Sequence, residues 1–563
     1  MKYAGAITSS IVAPLWIDAS TFKSDLIAGV TVSLVAIPQS LAYARLAGAP
    51  AYYGLYAALI PTIIGAIFGS SRQLSTGPVA MTSLLTAASV APLAAVDTES
   101  FYSCVILLAL LSGLFQVLMG MLRVGAILNF LSHPVLMGFI NAAALIIGLA
   151  QLPTLLAIPA PQSSHFVLDI VQVIGRIDTL HPLSLCFGVS AILMIVAFKK
   201  FAPKLPGVLI TVAILTWISH AIGFSDVGGQ VVGAIPKGLP SFSIPILDWH
   251  MAASLTPAAF IIAVVSFMEA MSSSKVISNN TRVPWDENKE LIGQGLAKVA
   301  SAFCHSMPVS GSFSRSALNL AANARTGLSS VISAICVLIT LLFLTPLLYH
   351  LPKPVLAAII MVAVVGLINF SIMLRAWSVN RDDGIASVAT FIATLAFSPN
   401  IQNGILVGIG LSLGLMLFRM MRPRIAKLGA HQDGTLGDAQ RHNLPPLHDR
   451  LAAIRFDGAL RFINVSTFEK AVIEMERGNP GINTILVSCG GINDIDASGV
   501  DMLSKLIVRF KSNDVCLCFS GFKEHVQDVI EKAGLNDLIG RENLFATDAL
   551  AARELRSRLE ALA

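Results

Sequence analysis

Three long stretches of this 563-residue chain contain no Asp, Glu, Lys or Arg. They are residues 124–168, 326–352 and 384–418, and several other stretches are about one membrane span in length. A helix rises about 1.5 Å per residue, and therefore about 20 apolar residues cross the roughly 30 Å hydrocarbon core of a bilayer. The pattern predicts a protein that crosses a lipid bilayer many times.

Charged residues divide the chain into two parts. Only 34 of the first 420 residues are Asp, Glu, Lys or Arg, against 37 of the last 143. Soluble domains carry about 25% charged residues, which the second part matches and the first does not. We predict a transmembrane domain over 1–425, a linker over 426–445 and a soluble domain over 446–563. No basic face suggests nucleic acid, and the seven cysteines have no spacing that suggests a metal site.

Turn residues and charges divide the first part into fourteen predicted membrane segments. They are approximately residues 24–47, 52–69, 77–95, 102–122, 133–153, 180–198, 206–223, 255–278, 289–305, 313–324, 327–350, 354–373, 384–398 and 401–419. Basic residues such as Arg72 and Lys204 follow even-numbered segments, whereas acidic residues such as Asp97 follow odd-numbered ones. Because cytoplasmic loops are rich in Lys and Arg, we expect both termini in the cytoplasm. The membrane that we expect is the plasma (cell inner) membrane.

Two of these segments, the third and the tenth, begin with Gly, Pro and hydroxyl residues. One start reads Ser75-Thr76-Gly77-Pro78, and the other reads Pro308-Val309-Ser310-Gly311-Ser312-Phe313, about 237 residues further along. This composition is typical of a helix that starts after an extended lead-in. Seven segments separate the corresponding positions, and an odd number inverts the second copy. We therefore predict two inverted repeats whose broken helices meet near the membrane midplane, the usual anatomy of a secondary transporter.

The two half-helix starts form the predicted binding site. Each helix start carries free N–H groups and a partial positive charge, and two that converge in a low-dielectric cavity can hold an anion without a metal. Ser312, Ser314 and Ser316 add hydroxyl donors, and Arg315 adds a fixed positive charge. The alternative is that the serines only cap a helix and that Arg315 faces water. An arginine at membrane depth is costly unless it faces a cavity or a partner.

Polar residues in two other segments are candidates for the same site. Glu269 follows twenty uncharged positions, and carboxyl groups at membrane depth are typical of proton relays. Arg315 is its expected partner, and a structural ion pair without a coupling role is the alternative. Gln39 and Tyr43 are four residues apart and therefore share one helix face, where an amide and a phenol can donate to an anion. Simple packing between helices is the alternative for these two.

The second part alternates strand and helix patterns. Strands are predicted over 451–462, 484–487, 515–519 and 544–546, and helices over 465–476, 498–509, 525–533 and 549–562. This order, with short connections, predicts a small α/β domain.

Six short motifs occur in the first part of this sequence. They are Pro38-Gln39-Ser40-Leu41-Ala42-Tyr43, Tyr53-Gly54-Leu55-Tyr56, Gly69-Ser70-Ser71-Arg72, Ser75-Thr76-Gly77-Pro78, Asn288-Lys289-Glu290-Leu291-Ile292-Gly293-Gln294-Gly295 and Gly311-Ser312-Phe313-Ser314-Arg315-Ser316. With them the chain resembles the SulP/SLC26 anion transporter family over nearly its full length. The soluble part resembles the STAS domain of these transporters, with Ile495-Asp496-Ala497-Ser498-Gly499 at its strand-to-helix turn.

The resemblance implies a mainly α membrane protein with 14 transmembrane segments in 7+7 inverted repeats. A core domain would move against a gate domain, and a homodimer would carry cytoplasmic α/β STAS domains. Glu269 matches the acidic position linked to proton or sodium coupling. The substrate pocket of the family matches Gln39, Tyr43, Ser312, Ser314 and Arg315, with backbone amides near Val79 and Phe313.

The resemblance also concerns the STAS turn. Related stand-alone domains are phosphorylated at a serine in this turn, which makes Ser498 a candidate regulatory residue. An N-cap serine that only holds the helix is the alternative.

We therefore predict a secondary active anion transporter, with proton-coupled sulfate uptake favoured and with no cofactor. A bicarbonate or dicarboxylate transporter of the same fold is the alternative. Further alternatives are a nucleobase permease and a membrane sensor that signals through its STAS domain to a cytoplasmic protein. An enzyme is least expected, because no nucleophile–base set or metal cluster is apparent in the sequence.

Overall fold

The computed structural model of the chain describes residues 18–96, 98–125, 132–158, 166–202, 205–236, 238–245, 247–366, 368–398, 401–431 and 434–561. Asp97 and Lys204, used above as loop charges, lie outside these ranges. The chain divides into two compact units, Met1–Ser412 and Leu413–Ala563.

The membrane part is almost entirely helical. Its helices are α1 (Ala19–Leu46), α2 (Ala51–Ala57), α3 (Ile60–Phe68), α4 (Ala80–Val90), α5 (Glu99–Met121), α6 (His133–Ala150), α7 (Leu152–Leu156), α8 (Phe166–Gly175), α9 (Pro182–Phe201), α10 (Gly207–Ala221), α11 (Trp249–Thr281), α12 (Glu287–Phe303), α13 (Phe313–Ala321), α14 (Leu328–Ile339), α15 (Thr345–Leu348), α16 (Lys353–Val365), α17 (Phe370–Val379), α18 (Arg381–Ala396) and α19 (Gln402–Met421). Two short strands, β1 (Ser75–Gly77) and β2 (Ser310–Ser312), interrupt them.

Each of the fourteen predicted segments overlaps at least one of these helices. Within the described ranges, nine helical spans are long and apolar enough to cross a membrane, and α4 and α10 are shorter apolar helices. The prediction did not include α8, and its twelfth segment covers only the first four residues of α17; each of these helices is 10 residues long. Helices of that length are too short for the 20-residue criterion on which the prediction rests.

The two predicted helix interruptions are present in the structure. Pro78 and Gly77 precede α4, and a proline there cannot donate a helical hydrogen bond, which favours an extended lead-in. The lead-ins are β1 and β2, which pair antiparallel with Ser75 opposite Ser312 and Gly77 opposite Ser310. This pairing joins the two halves of the membrane part at the point where their half-helices begin.

Glycines allow α5 and α12 to pack closely. A Cβ added at Gly295 would lie 2.7 Å from the backbone N of Val117 and 2.8 Å from the carbonyl O of Gly113. Real Cβ atoms essentially never come that near, and therefore only glycine permits this approach. Small residues have this role at many helix interfaces in membranes. The contact brings Lys298 of α12 within hydrogen-bond distance of Gln116 of α5.

The second unit contains a six-stranded sheet with helices on both faces. Its strands are β3 (Arg424–Ala430), β4 (Leu436–Asp438), β5 (Leu451–Asp457), β6 (Thr484–Ser488), β7 (Cys516–Ser520) and β8 (Leu544–Phe545), in the spatial order β4-β3-β5-β6-β7-β8. Its helices are α20 (Ala439–His442), α21 (Val465–Gly478), α22 (Ala497–Ser512), α23 (Glu524–Lys532), α24 (Leu535–Ile539) and α25 (Asp548–Ala561). The four strands from β5 to β8 are parallel, and β3 is antiparallel to both β4 and β5.

Alternating side chains of the strands give this sheet two apolar faces. Ile485 and Val487 of β6 point into one core with α21, α22, α23 and α24, whereas Leu486 between them belongs to a second core with α25. Because successive side chains of a strand point to opposite faces, a continuous apolar run indicates a strand covered on both sides. All the strands and helices predicted for residues 451–562 are present; the strand predicted over 451–462 ends at Asp457, and the other elements differ by at most three residues at either end.

The predicted linker differs from the structure. Residues 426–445 contain most of β3 together with β4 and α20, and β3 pairs with β5 over Arg424–Leu428. The short apolar stretch of β3 is interrupted by Lys427, which gave it the appearance of a polar connection. In the structure the side chains of Ala426 and Leu428 are buried against the sheet, while Lys427 between them is exposed. This alternation is usual for a strand with one face exposed to water. The outer limits of the two predicted domains remain predictions.

Candidate functional site

One cavity of about 590 Å³ lies beside both half-helix starts. One part of its lining, here called the polar wall, comes from α1, α11 and the starts of α4 and α13, and contains the polar side chains of Gln39, Tyr43, Glu269, Ser312 and Ser314 together with Val79, Ala80 and Phe313. Another part, here called the apolar wall, comes from α9, α10 and α16, and includes Ile195, Phe198, Val208, Ile359 and Val362. The structure therefore brings together seven of the nine residues predicted for substrate binding and proton coupling, which come from two helices and two half-helix starts.

The start of α4 presents backbone donors to this cavity. Val79 is the extended residue before the helix, and no side chain caps the free N–H groups that follow it. At the start of α13, the Ser312 hydroxyl accepts a hydrogen bond from the Arg315 N–H at 3.4 Å. The Ser314 side chain is exposed to the cavity, and its Oγ lies 3.4 Å from the Ser312 Oγ. Free N–H groups and hydroxyls at two helix starts are suited to an anion.

Arg315 and Ser316 are the two predicted binding residues that do not line the cavity surface; the buried Ser316 Oγ accepts the Ser75 N–H at 2.9 Å. The Arg315 side chain is 2% exposed and lies behind the two helix starts. The guanidinium donates from Nε to the Ser75 Oγ at 3.3 Å and from Nη1 to the Pro78 carbonyl at 2.8 Å. Both acceptors belong to the other repeat, next to β1. Arg315 therefore holds the two half-helices together and places its charge between their starts.

Gly77 makes room for this arginine. A Cβ at Gly77 would lie 3.0 Å from Nη2 of Arg315, closer than nearly all real Cβ contacts. The close approach explains why a glycine precedes Pro78 in this lead-in, since any larger residue would push the guanidinium away.

Three buried polar atoms around the cavity have no hydrogen-bond partner among the described residues. They are Oε1 of Gln39, Oε2 of Glu269 and Nη2 of Arg315. Burying such an atom without a partner costs about 1–3 kcal/mol, more for a charged group. Native proteins leave few atoms in this state, and those that remain require an explanation. An anion can partner only Nη2 of Arg315, which is a donor, whereas a proton on Glu269 would turn its Oε2 into a donor and Oε1 of Gln39 needs a donor.

Glu269 is partly buried and lies within electrostatic range of three neighbouring ionisable side chains. These are Arg315 of α13, Lys298 of α12 and Tyr43 of α1. The arrangement includes the arginine expected from the sequence. It also includes a lysine that the sequence analysis did not single out.

Lys298 is completely buried. Its Nζ donates to the Gln116 Oε1 at 2.7 Å and to the Ser266 Oγ at 2.8 Å. A signal was present in the sequence, because Glu290, Gln294 and Lys298 repeat every four residues and therefore form one polar stripe along α12. Such a stripe in a membrane helix predicts a polar interior, since charged residues at that depth face partners or cavities.

The STAS turn is built around an aspartate. Asp496 caps α22 by accepting the Gly499 N–H at 2.9 Å, and it also accepts the Phe462 N–H at 2.8 Å. The neighbouring Arg461 guanidinium lowers the pKa of Asp494. Ser498 is exposed in the first turn of the helix, and Asp496 occupies the N-cap position. The alternative of an N-cap serine is therefore wrong, while a regulatory role for Ser498 stays a prediction.

No group of three or more His, Cys, Asp or Glu side chains that could hold a metal ion occurs in the part of the chain that the structure describes. The site is thus built from helix starts, hydroxyls, an amide and three buried or partly buried charged groups.

Comparisons with known proteins agree with this architecture. The sulfate permease family model matches residues 22–390, and the STAS domain model matches residues 445–551. The chain is 35% identical over 542 residues to the chloroplastic sulfate transporter 4.1 of Arabidopsis thaliana, which covers 93% of this chain and 78% of that protein. It is 30% identical over 543 residues to a probable sulfate transporter of Mycobacterium tuberculosis, with 95% and 96% of the two chains covered.

Solved structures show the same fold. The murine Solute Carrier 26 family member A9 anion transporter in the inward-facing state matches with a TM-score of 0.90 at 21% identity, over 97% of this chain and 93% of that one. The transmembrane domain of the cyanobacterial bicarbonate transporter BicA matches with a TM-score of 0.59 at 25% identity, over 71% of this chain and 99% of that one. From these matches and from the paired half-helix starts, we conclude that the chain belongs to the SulP/SLC26 sulfate permease family and is a multi-pass membrane anion transporter with a C-terminal STAS domain.

Proposed function

We propose that this protein takes up sulfate together with protons, by alternating access, and that sulfate binds between the starts of α4 and α13. The observation that carries this proposal is that both half-helix starts meet at one cavity, which Glu269 also lines, while Nη2 of the nearby Arg315 is an unpartnered donor. The relatives described as sulfate transporters support sulfate as the anion.

Anion recognition follows from the donors around the cavity. Nη2 of Arg315 carries two N–H groups that the hydrogen bonds to Ser75 and Pro78 leave unused. The backbone N–H groups after Val79 and the hydroxyl of Ser314 add neutral donors from both half-helices. The phenol of Tyr43 lines the same cavity from α1. A tetrahedral oxyanion can accept from several of these donors at once, and charge-assisted hydrogen bonds are the strongest of them.

The coupling proton would bind Glu269. A carboxylate in this position competes with the substrate for the positive charge of Arg315, because both groups are negative and lie beside the same guanidinium. When sulfate binds, protonation of Glu269 removes this competition. Binding of the anion and binding of the proton then favour each other, which favours their movement together.

The two cavity walls suggest how access alternates. The polar wall contains both half-helix starts. The apolar wall contains none of the three unpartnered atoms of Gln39, Glu269 and Arg315. The lining reaches Lys199 at the end of α9, on the side where the basic loops are predicted to be cytoplasmic. This geometry fits an inward-facing state, in which a core domain carrying the polar wall would slide against a gate domain.

Bicarbonate is the second candidate substrate. The matching transmembrane domain of a bicarbonate transporter favours it, and a cavity of about 590 Å³ also has room for a dicarboxylate. Such volumes fall within the range of about 300–1,000 Å³ that is usual for small-molecule pockets.

The test is uptake of radiolabelled sulfate by proteoliposomes with and without an inward proton gradient, with unlabelled bicarbonate and dicarboxylates as competitors. Uptake that rises with the gradient and that sulfate itself inhibits best supports the proposal. Bicarbonate uptake without sulfate uptake would favour the second candidate. Binding without any flux would indicate a sensor.

Assembly and regulation complete the proposal. We expect a homodimer in the plasma membrane with both termini and the STAS domains in the cytoplasm, and a cytoplasmic protein as the partner of the STAS domain. Exposure of Ser498 at the start of α22 is consistent with a modification site. Cross-linking in native membranes and phosphoprotein mass spectrometry test these two points.

A further inference from the structure

Lys298 is a buried lysine that has no role in the transport mechanism proposed above. Among the described residues, the other buried charged side chains of the membrane part are Asp25, Glu290 and Arg315. Asp25 and Glu290 accept backbone N–H groups, and Arg315 donates to a carbonyl of the opposite repeat. Lys298 instead donates to two neutral side chains near the coupling carboxyl. Charged groups at membrane depth are rare and usually functional.

The two partners of Lys298 are held as acceptors. Nε2 of Gln116 donates to the Ala263 carbonyl at 2.7 Å and to the Ser266 Oγ at 3.1 Å, which turns Oε1 towards Nζ. The Ser266 hydroxyl donates to the Ile262 carbonyl at 2.5 Å and therefore also offers lone pairs to Nζ. The network is thus organised around a donor, as an ammonium group requires.

Ser266 also connects this ammonium to the transport cavity. It lies three residues before Glu269 on α11, and residues at that spacing are neighbours on one helix face. Lys298 and Glu269 interact electrostatically, and the other ionisable groups that face Glu269 are Arg315 and Tyr43. Lys298 does not line the cavity, and unlike Nη2 of Arg315 its Nζ already has two acceptors, so we expect any effect on substrate to act through its charge.

The charges of these groups give a simple count. With Glu269 and Lys298 both protonated and Tyr43 neutral, Lys298 and Arg315 together carry two positive charges. A sulfate ion carries two negative charges, and a site loaded with one proton and one sulfate is therefore neutral. Without Lys298 the same loaded site would carry one net negative charge. Buried net charge in a low-dielectric region is strongly unfavourable.

We propose that Lys298 is a specificity-determining residue that matches the net charge of the site to a divalent anion. This inference rests on the proposed function, because the count requires a proton on Glu269 and an anion in the cavity. Lys298 does not contact the substrate. It favours dianions over monoanions by placing a second positive charge behind Glu269.

Two variants test the charge with different structural changes. Lys298→Gln removes the ammonium, and Gln116→Glu keeps the lysine but neutralises it with an adjacent carboxylate of nearly the same shape. Lys298→Arg restores the charge, and Ser266→Ala removes a hydrogen bond without changing any charge. Size-exclusion profiles in detergent show which of these variants fold.

The measurement is sulfate uptake by proteoliposomes, with inhibition constants for selenate, a dianion, and nitrate, a monoanion. We expect the preference for selenate over nitrate to fall about tenfold in both Lys298→Gln and Gln116→Glu, as one unit charge acting over roughly 10 Å at an effective dielectric constant of about 20 implies. Lys298→Arg and Ser266→Ala should keep the preference within about threefold of wild type, because the charge is still present.

An unchanged preference in either charge-removing variant that folds overturns the inference, and so does an equal loss of preference in Ser266→Ala. A wild-type protein that takes up no sulfate at any proton gradient overturns the proposed function instead. The two failures are therefore distinguishable.

Discussion

Substitution of Arg315 tests the anion site most quantitatively. The guanidinium has five N–H groups, of which one binds Ser75 and one binds Pro78, while Nη2 has no partner among the described residues. In the proposed complex Nη2 binds the anion with a charge-assisted hydrogen bond. A hydrogen bond to a charged group contributes about 1.5–3 kcal/mol. Its loss in Arg315→Gln should raise the KM for sulfate about 10- to 150-fold, since about 1.4 kcal/mol corresponds to a factor of ten.

Arg315→Lys separates charge from geometry. Lysine keeps the positive charge but lacks the rigid fork that reaches Ser75, Pro78 and a ligand together. We expect an intermediate loss, with a KM raised about tenfold or less relative to wild type. Arg72→Gln is the matched control, because Arg72 is exposed and does not line the cavity.

The assay is the initial rate of radiolabelled sulfate uptake by proteoliposomes over a range of sulfate concentrations. Thermal unfolding in detergent shows whether each variant remains folded, since Arg315→Gln also leaves the Pro78 carbonyl without its donor. A folded Arg315→Gln protein with the wild-type KM would refute the assignment of this guanidinium to substrate binding.

Two further predictions follow from the described contacts. Gly77→Ala should reduce the maximal uptake rate and lower the unfolding temperature, because the added Cβ would lie 3.0 Å from Nη2 of Arg315. A variant with the uptake rate and unfolding temperature of wild type would contradict this prediction. In the STAS domain, a hydrogen bond from Cys518 lowers the pKa of the Cys516 thiol to about 7, whereas burial raises the pKa of Cys489 well above its usual range. Because the thiolate is the reactive form of cysteine, iodoacetamide should label Cys516 increasingly as the pH rises through about 7 and should leave Cys489 unlabelled. Mass spectrometry of peptides measures the labelling of each cysteine. Labelling of Cys489 first would contradict the assignment.

The sequence predicted those parts of the fold that have local signals. The Gly, Pro and hydroxyl residues at Ser75–Pro78 indicated a broken helix, and the continuous apolar run at Thr484–Val487 indicated a strand buried on both faces. Local composition carries no information on which distant segments pair. The antiparallel register of Ser75 with Ser312 joins residues far apart in the chain, and only the inverted repeat indicated that the two segments would meet.

The candidate site was predicted in part for a similar reason. Glu269 is conspicuous because it interrupts a long uncharged segment, and the motif around Arg315 contains three serines. Lys298 was missed because α12 begins with several charged residues, which makes one more charge in that segment inconspicuous. Burial distinguishes it, and burial depends on the close approach of α5 that Gly113 and Gly295 allow.

Proton coupling through Glu269 can be tested directly by comparing wild type with Glu269→Gln. Sulfate accumulation driven by an inward proton gradient is measured for wild type and Glu269→Gln, together with sulfate–sulfate exchange at equal pH. We expect the proton gradient to drive sulfate accumulation by wild type and not by Glu269→Gln. Sulfate–sulfate exchange should continue in Glu269→Gln, because the amide mimics the protonated carboxyl. Accumulation in Glu269→Gln that still follows the proton gradient as in wild type would contradict proton coupling through this residue.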